Sequence, residues 1–178
     1  ANSGVPRLTP EDDRVSAHGP DGWQHAADPQ PIATGGGGSP WPHLGDLLVD
    51  RLDVPVGFVS VAWGGTRVGQ WQPDGNLYPR IRGALHALEP PGPRAILWHQ
   101  GESDSMARTN SDDYARLLAN VVAESRLDAG FDVTWGVAMV SFMPRATEDA
   151  MAQVIAGQRS VIESDPLVFE GAHTDDLV

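Results

Sequence analysis

Short apolar runs alternating with amphipathic helical stretches constrain this chain more than any other feature of it. Residues 56–62 (VGFVSVA), 95–98 (AILW) and 133–140 (VTWGVAMV) are rich in β-branched and large apolar side chains, the pattern of buried strands. Between them the apolar period becomes helical. Leu44, Leu47, Leu48 and Leu52 share one helical face. Residues 78–88 put Ile81, Leu85 and Leu88 on one side, and the prolines of 90–93 stop that helix. Residues 112–127 turn Tyr114, Leu117, Leu118 and Val121 inward, with Ser111 as the cap. A further helix over 148–163 and a short strand over 167–169 follow. Helix and strand in alternation predict right-handed crossovers and an α/β fold, a mainly parallel sheet with helices on both faces. In such sheets chemistry sits beyond the carboxyl ends of the strands.

Residues 1–40 carry Pro, Gly and Asp with little periodicity and read as an irregular segment. The run Gly35-Gly36-Gly37-Gly38-Ser39 reads as a mobile loop ahead of a helix. It lacks the following Gly-Lys-Ser/Thr of a phosphate cradle. No internal repeat is visible.

Charge and composition narrow the function classes. The 178 residues hold 24 acidic and 12 basic side chains, a net charge of −12, which disfavours nucleic-acid binding. All the basic residues are arginine, so Schiff-base and P-loop lysine chemistry are excluded. Cysteine is absent, which removes disulfide and thiolate chemistry. No apolar run approaches the roughly 18 residues of a membrane helix. Hydrophobic residues make up 40%, enough for a packed core. His18, His25, His43 and His86 show no metal-ligand spacing.

Two loops carry the chemical signal. Trp63-Gly64-Gly65-Thr66 follows the first apolar run, and His99-Gln100-Gly101-Glu102-Ser103-Asp104 follows the second. A glycine pair leaving a strand lets backbone N–H groups face a developing negative charge, and a glutamine in the next loop can add a side-chain N–H. Glu102 and Asp104 either accept hydrogen bonds from a substrate hydroxyl or brace the loop. Trp71, beside Gln70 and Asp74, is the candidate wall for a sugar ring, while Trp98 is expected in the core and His99 to hold its loop.

Together these two blocks resemble the SGNH-hydrolase superfamily, in particular its sialate O-acetylesterase and carbohydrate acetylesterase branch. Gln70-Trp71, Tyr78-Pro79-Arg80 and Thr174-Asp175-Asp176-Leu177 also fit. The resemblance implies a flavodoxin-like three-layer α/β/α sandwich, one domain over 1–178, and a serine esterase without metal or other cofactor. It assigns the oxyanion hole to Gly64 or Gly65 and to Gln100, and substrate contacts to Thr66, Trp71, Glu102 and Asp104. The implied partner is a carbohydrate or other small acetyl ester, not a nucleic acid or a membrane. Oligomeric state and cellular location stay open.

The family's nucleophile block, Gly-Gln-Ser-Asn or Gly-Asp-Ser, does not occur in 1–178, nor does its Asp-x-x-His. The nucleophile is expected before residue 1 and the acid–base pair after residue 178, so the chain is expected to lack the domain's first strand and last helix. Such a piece is expected to be marginally stable or prone to associate. Ser3, Ser103 and the pair Glu170 and His173 are imperfect substitutes for the triad. Two alternatives remain: a carbohydrate-binding module of the same fold that has lost its triad, and a glycosidase using Glu102 and Asp104.

Overall fold

Strand and helix alternate through the computed structural model, which describes residues 1–4, 6–88 and 90–174. It contains two compact units, residues 1–64 and 65–178. Of the strand pairings among the described residues, one is antiparallel and three are parallel, as expected for an α/β fold.

The first unit holds β1 (Val15–Gly19), β2 (Gly22–His25), α1 (Trp41–Leu52) and β3 (Val56–Phe58), with sheet order β2-β1-β3. β1 and β2 form a hairpin around Pro20-Asp21, inside the segment expected to be irregular. β3 runs parallel to β1, from Val15 opposite Val56 to Ala17 opposite Phe58. Pairing ends there, so the strand expected over 56–62 is confined to its first three residues. Val15, Ala17, Ala26 and Val49 form the core, with Val56 and Phe58 against them.

Helix α1 lies where its periodicity placed it but is turned differently. Its buried residues are Pro42, Gly45 and Val49, while Leu47 and Leu52 are 53% and 57% exposed. The reason is Gly45. A Cβ there would collide with Val15 Cγ1, so the helix approaches the sheet on its smallest residue, Leu47 and Leu52 turn outward, and Leu44 and Leu48 stay half-buried. Gly45→Ala is therefore expected to lower stability by about 1–2 kcal/mol, because overpacking outweighs the roughly 1 kcal/mol gain in helix propensity. Urea unfolding checks this; a more stable variant would mean propensity decides.

The glycine run is hydrogen-bonded to the chain's first residues. Asn2 N–H donates to Thr34 O at 2.7 Å, Gly37 N–H to Asn2 O at 3.0 Å, and Gly4 N–H to Gly38 O at 2.8 Å. The buried Asn2 amide donates to Gln30 O (2.9 Å) and Ala33 O (3.1 Å) and accepts from Gln30 N–H (2.9 Å). A Cβ at Gly35, Gly37 or Gly38 would strike the backbone of Asn2, Gly4 or Pro6. Glycine is needed here for close backbone approach.

The second unit holds a 3-10 turn (Val68–Trp71), α2 (Tyr78–Ala87), β4 (Ala95–His99), α3 (Glu102–Ala107), α4 (Ser111–Ala129), β5 (Thr134–Ala138), α5 (Glu148–Ser164) and β6 (Val168–Glu170). Its sheet, β4-β5-β6, is parallel throughout. Trp98, Trp135, Val137 and Val168 are buried together with Tyr114, Leu118, Val121 and Val122 of α4 and Val154 and Val161 of α5. Trp71, Trp98 and Trp135 form a continuous ring-to-ring series, with centroids 5.7 and 5.8 Å apart. Asn110, one residue earlier than expected, caps α4 by accepting from Asp113 N–H at 2.9 Å.

The end of α4 is tied to the approach to β6. Arg126 donates through Nη1 to Asp165 at 2.5 Å and through Nε to Val133 O at 3.1 Å. Those guanidinium hydrogen bonds hold the Asp165 carboxyl below the ordinary carboxylate range. A depressed carboxyl contributes stability above its unfolded pKa and loses it as pH falls through the folded value. Urea unfolding at pH 7 and near pH 3 is expected to show about 1–2 kcal/mol lost at acid pH that is absent in Asp165→Asn. An identical acid loss in that variant would assign the effect to other carboxylates.

Candidate active site

Gln100 leaves the carboxyl end of β4, and Gly101 behind it has φ of +149°. A Cβ at Gly101 would press on Val140 and Val154, so glycine is needed for both torsion and space. The chain turns there directly into α3, which places Glu102 and Asp104 in its first turn.

Gln100 is buried and fully engaged. Its Nε2 donates to Thr66 O at 2.8 Å and to Asp104 Oδ2 at 2.6 Å. Its Oε1 and its backbone carbonyl each lie 3.0 Å from the Tyr114 hydroxyl. Gln158 Nε2 donates to that carbonyl at 2.9 Å, and Gln158 Oε1 accepts from Val140 N–H at 3.0 Å. Burial pushes the Tyr114 phenol pKa up, so this hydroxyl stays neutral and able to donate.

Asp104, only 2% exposed, joins the two sequence blocks. Besides Gln100, its Oδ2 accepts from Val68 N–H at 2.9 Å, and its Oδ1 accepts from the Thr109 hydroxyl at 3.0 Å. The geometry favours bracing over substrate contact for this residue. It also separates Asp104 from Glu102, which is partly exposed, so the two carboxylates do not form the open pair that a glycosidase needs.

Thr66 and Trp71 are likewise inward. Thr66 Oγ1 accepts from the Trp71 indole N–H at 3.0 Å, and Trp71, 4% exposed, packs edge-on against Trp98. The loop composition around Trp71 suggested a sugar wall, but its burial leaves little of the ring for a ligand.

The two glycines differ. Gly64 N–H donates to Thr34 Oγ1 at 3.0 Å within the first unit. Gly65, at the start of the second, is exposed, has φ of +73°, and has open space where a Cβ would stand.

His99, at the end of β4, is about half exposed, whereas Gln100 is buried. Its Nε2 lies 3.3 Å from Ser141 Oγ and 3.8 Å from Glu102 Oε1, and Ser141 Oγ pairs with Thr174 Oγ1. Serine, histidine and carboxylate are thus close, yet both partners face one ring nitrogen. A relay needs them on opposite nitrogens. His173 Nε2 pairs with Glu170 at 3.1 Å. Ser103 lies within α3, and Asp175, Asp176 and Leu177 fall outside the described residues. Sequence reasoning did not single out Tyr114, Gln158 or Ser141 as site residues. Tyr114 was seen only as a core residue, and nothing local marks a glutamine in mid-helix as the partner of a distant loop.

The parallel β4-β5-β6 sheet with helices packed on it is an α/β architecture of the SGNH kind. Residues 4–168 match the family described as carbohydrate esterase, sialic acid-specific acetylesterase, and the chain belongs to that family. A probable carbohydrate esterase from Arabidopsis thaliana is 28% identical over 115 residues, covering 60% of this chain and 44% of that protein. The chain therefore spans less than half of this relative. A solved structure of an Arabidopsis thaliana protein superposes with a TM-score of 0.76 at 20% identity, over 89% of this chain and 68% of the other. A carbohydrate acetylesterase from Xanthomonas citri superposes at 0.66 and 17% identity, over 90% and 42%. Both likenesses show the fold.

Proposed function

We propose that the protein is a serine-type carboxylic-ester hydrolase that removes acetyl groups from carbohydrates or related small esters. The observation that carries this reading is the hydrogen bond from Gln100 to Thr66 O, which fixes the glycine turn beside the β4 loop. In the proposed mechanism a serine attacks the acetyl carbonyl, a histidine takes its proton and an aspartate orients that histidine. These three are proposed to come from sequence outside 1–178. The tetrahedral oxyanion is received by backbone and side-chain N–H groups of the two blocks. Of the two glycines, Gly65 is favoured as donor, because the Gly64 N–H is engaged by Thr34. Gln100 supplies the amide by exchanging its bond to Thr66 O for one to the oxyanion, while Asp104 retains the other N–H and fixes the amide plane. Glu102 is the proposed substrate contact of the loop. Thr66 contributes through its carbonyl, and Trp71 supports Thr66 from behind.

A second reading, a binding module without turnover, draws on one observation: both Gln100 N–H groups already have acceptors. Turnover of 4-nitrophenyl acetate and an O-acetylated sugar by the full-length protein decides between them. Hydrolysis of both is expected, with a 4-nitrophenyl glycoside left intact. Sugar binding without hydrolysis would establish the second reading.

A further inference from the structure

We infer that Tyr114 is a positioning residue for Gln100: its hydroxyl donates to Gln100 Oε1 and fixes which way the amide presents its N–H groups. The inference deepens the esterase reading and rests on it for its kinetic test. Tyr114 is fully buried, and its hydroxyl lies 3.0 Å from two acceptors, Gln100 Oε1 and Gln100 O. A phenol has one proton to give. The backbone carbonyl already accepts from Gln158 Nε2 at 2.9 Å, whereas Tyr114 is the one donor to Oε1 among the described residues. A buried carbonyl oxygen left without a donor is costly, so the proton belongs on Oε1. Trp98 Nε1 and Gln158 Nε2, at 3.4 and 3.5 Å, are the other polar neighbours of the phenol oxygen. Both are N–H donors, so the oxygen accepts from them and its own proton is left for Gln100.

Indole N–H, phenol O–H and carboxamide then run head to tail toward the Gln100 N–H groups. Hydrogen bonds in such a series polarise one another, so an amide whose oxygen accepts is a better donor at nitrogen. Asp104 of α3 holds one N–H and Tyr114 of α4 holds the oxygen. Only the N–H now on Thr66 O is left to turn to an oxyanion. With the amide reversed, its oxygen would face the Asp104 carboxylate and the Thr66 carbonyl, acceptor against acceptor. A glycine brings these groups together. A Cβ on Gly157 of α5 would stand 2.7 Å from Ser111 O and 3.1 Å from Tyr114 Cβ, so the two helices cross closely there. That crossing carries Tyr114 of α4, and Gln158, the next residue of α5, to the same loop.

The test uses the full-length protein, 4-nitrophenyl acetate, and the variants Tyr114→Phe, Gln100→Ala and their combination. Tyr114→Phe keeps the ring and removes the proton. It is expected to lower kcat per folded molecule about tenfold and to leave KM within about twofold, the effect of one neutral hydrogen bond felt in the transition state. In the Gln100→Ala background the same change is expected to lower kcat no further, because a positioning residue acts only through the group it positions. An unchanged kcat in Tyr114→Phe, or an equal fall in both backgrounds, overturns the inference. A second measurement needs no turnover: solvent exchange of the Gln100 side-chain amide protons, identified by NMR through their loss in Gln100→Ala. Tyr114→Phe is expected to speed this exchange about tenfold, while that of the Gln72 amide, which donates to Leu117 O, stays unchanged. No acceleration at Gln100, or equal acceleration of both amides, overturns the inference, since the latter would be general loosening. If the parent protein does not hydrolyse the ester, the esterase reading fails, and amide exchange alone decides whether Tyr114 holds Gln100.

Discussion

Asp104→Ala is expected to cost about 3–5 kcal/mol of stability. Three donors depend on this buried carboxylate: the Val68 N–H, the Gln100 amide and the Thr109 hydroxyl. Removing it leaves the Val68 N–H and one of the two Gln100 N–H groups without this acceptor in a buried place, and the Thr109 hydroxyl without it in a partly buried one, each at about 1–3 kcal/mol before relaxation. Asp104→Asn separates this effect from charge. One amide oxygen in the place of Oδ2 still accepts from Val68 and Gln100, and the amide nitrogen can donate to Thr109 Oγ1. The asparagine variant is therefore expected to lose only about 1 kcal/mol, the difference between charged and neutral hydrogen bonds. Urea unfolding of the three proteins measures both values. Equal losses in the two variants would show that charge itself holds the loops together.

The same carboxylate shows how far the sequence could be read. Its place in the block His99-Gln100-Gly101-Glu102-Ser103-Asp104 was plain, but whether it faced substrate or protein was not. Orientation depended on Val68 and Thr109, which approach from other segments. Elements with strong periodicity were legible: α4 and α5 lie where their apolar spacing put them, and the parallel sheet follows from the alternation. The β1–β2 hairpin was not, because VSAHG alternates over only five residues within a Pro-, Gly- and Asp-rich stretch and GWQH has one apolar side chain; the Pro20-Asp21-Gly22 turn was the available signal. The face of α1 was misassigned because leucines outnumber the small residues that allow close packing, and close packing won at Gly45. The contacts of the glycine run were not legible either, since spacing cannot show that Asn2 and Gly4 lie against it. Trp71 illustrates the limit for a site. A tryptophan in a polar loop suggests a ligand wall, but the partner that buries it, Trp98, is distant in sequence.

Gln100→Ala is expected to reduce kcat for acetyl-ester hydrolysis by about a hundredfold or more with little change in KM, the loss of one oxyanion donor worth about 3 kcal/mol. The geometry makes this demanding, because both N–H groups already have acceptors. Only the bond to Thr66 O can be exchanged without leaving Asp104 uncompensated, and a neutral carbonyl is a weaker acceptor than a developing oxyanion. The exchange should therefore become favourable as charge builds on the substrate, which is when transition-state stabilisation is needed. If Gln100 were only a strut between Thr66 and Asp104, the alanine variant would unfold at lower urea concentration, but kcat per folded molecule would stay near the parent value. Measuring kcat and urea stability on the same preparations separates the two roles. Unchanged kcat per folded molecule would remove Gln100 from the oxyanion hole and leave Gly65 as the donor from these two blocks. Gln100→Glu supplies the converse. It sets a second carboxylate against Asp104, where the amide now stands 2.6 Å away, so two buried like charges would share one position. That variant is expected to lose both stability and activity, and to recover part of each when Asp104→Asn is added, because the carboxamide then donates to the carboxylate across the same gap.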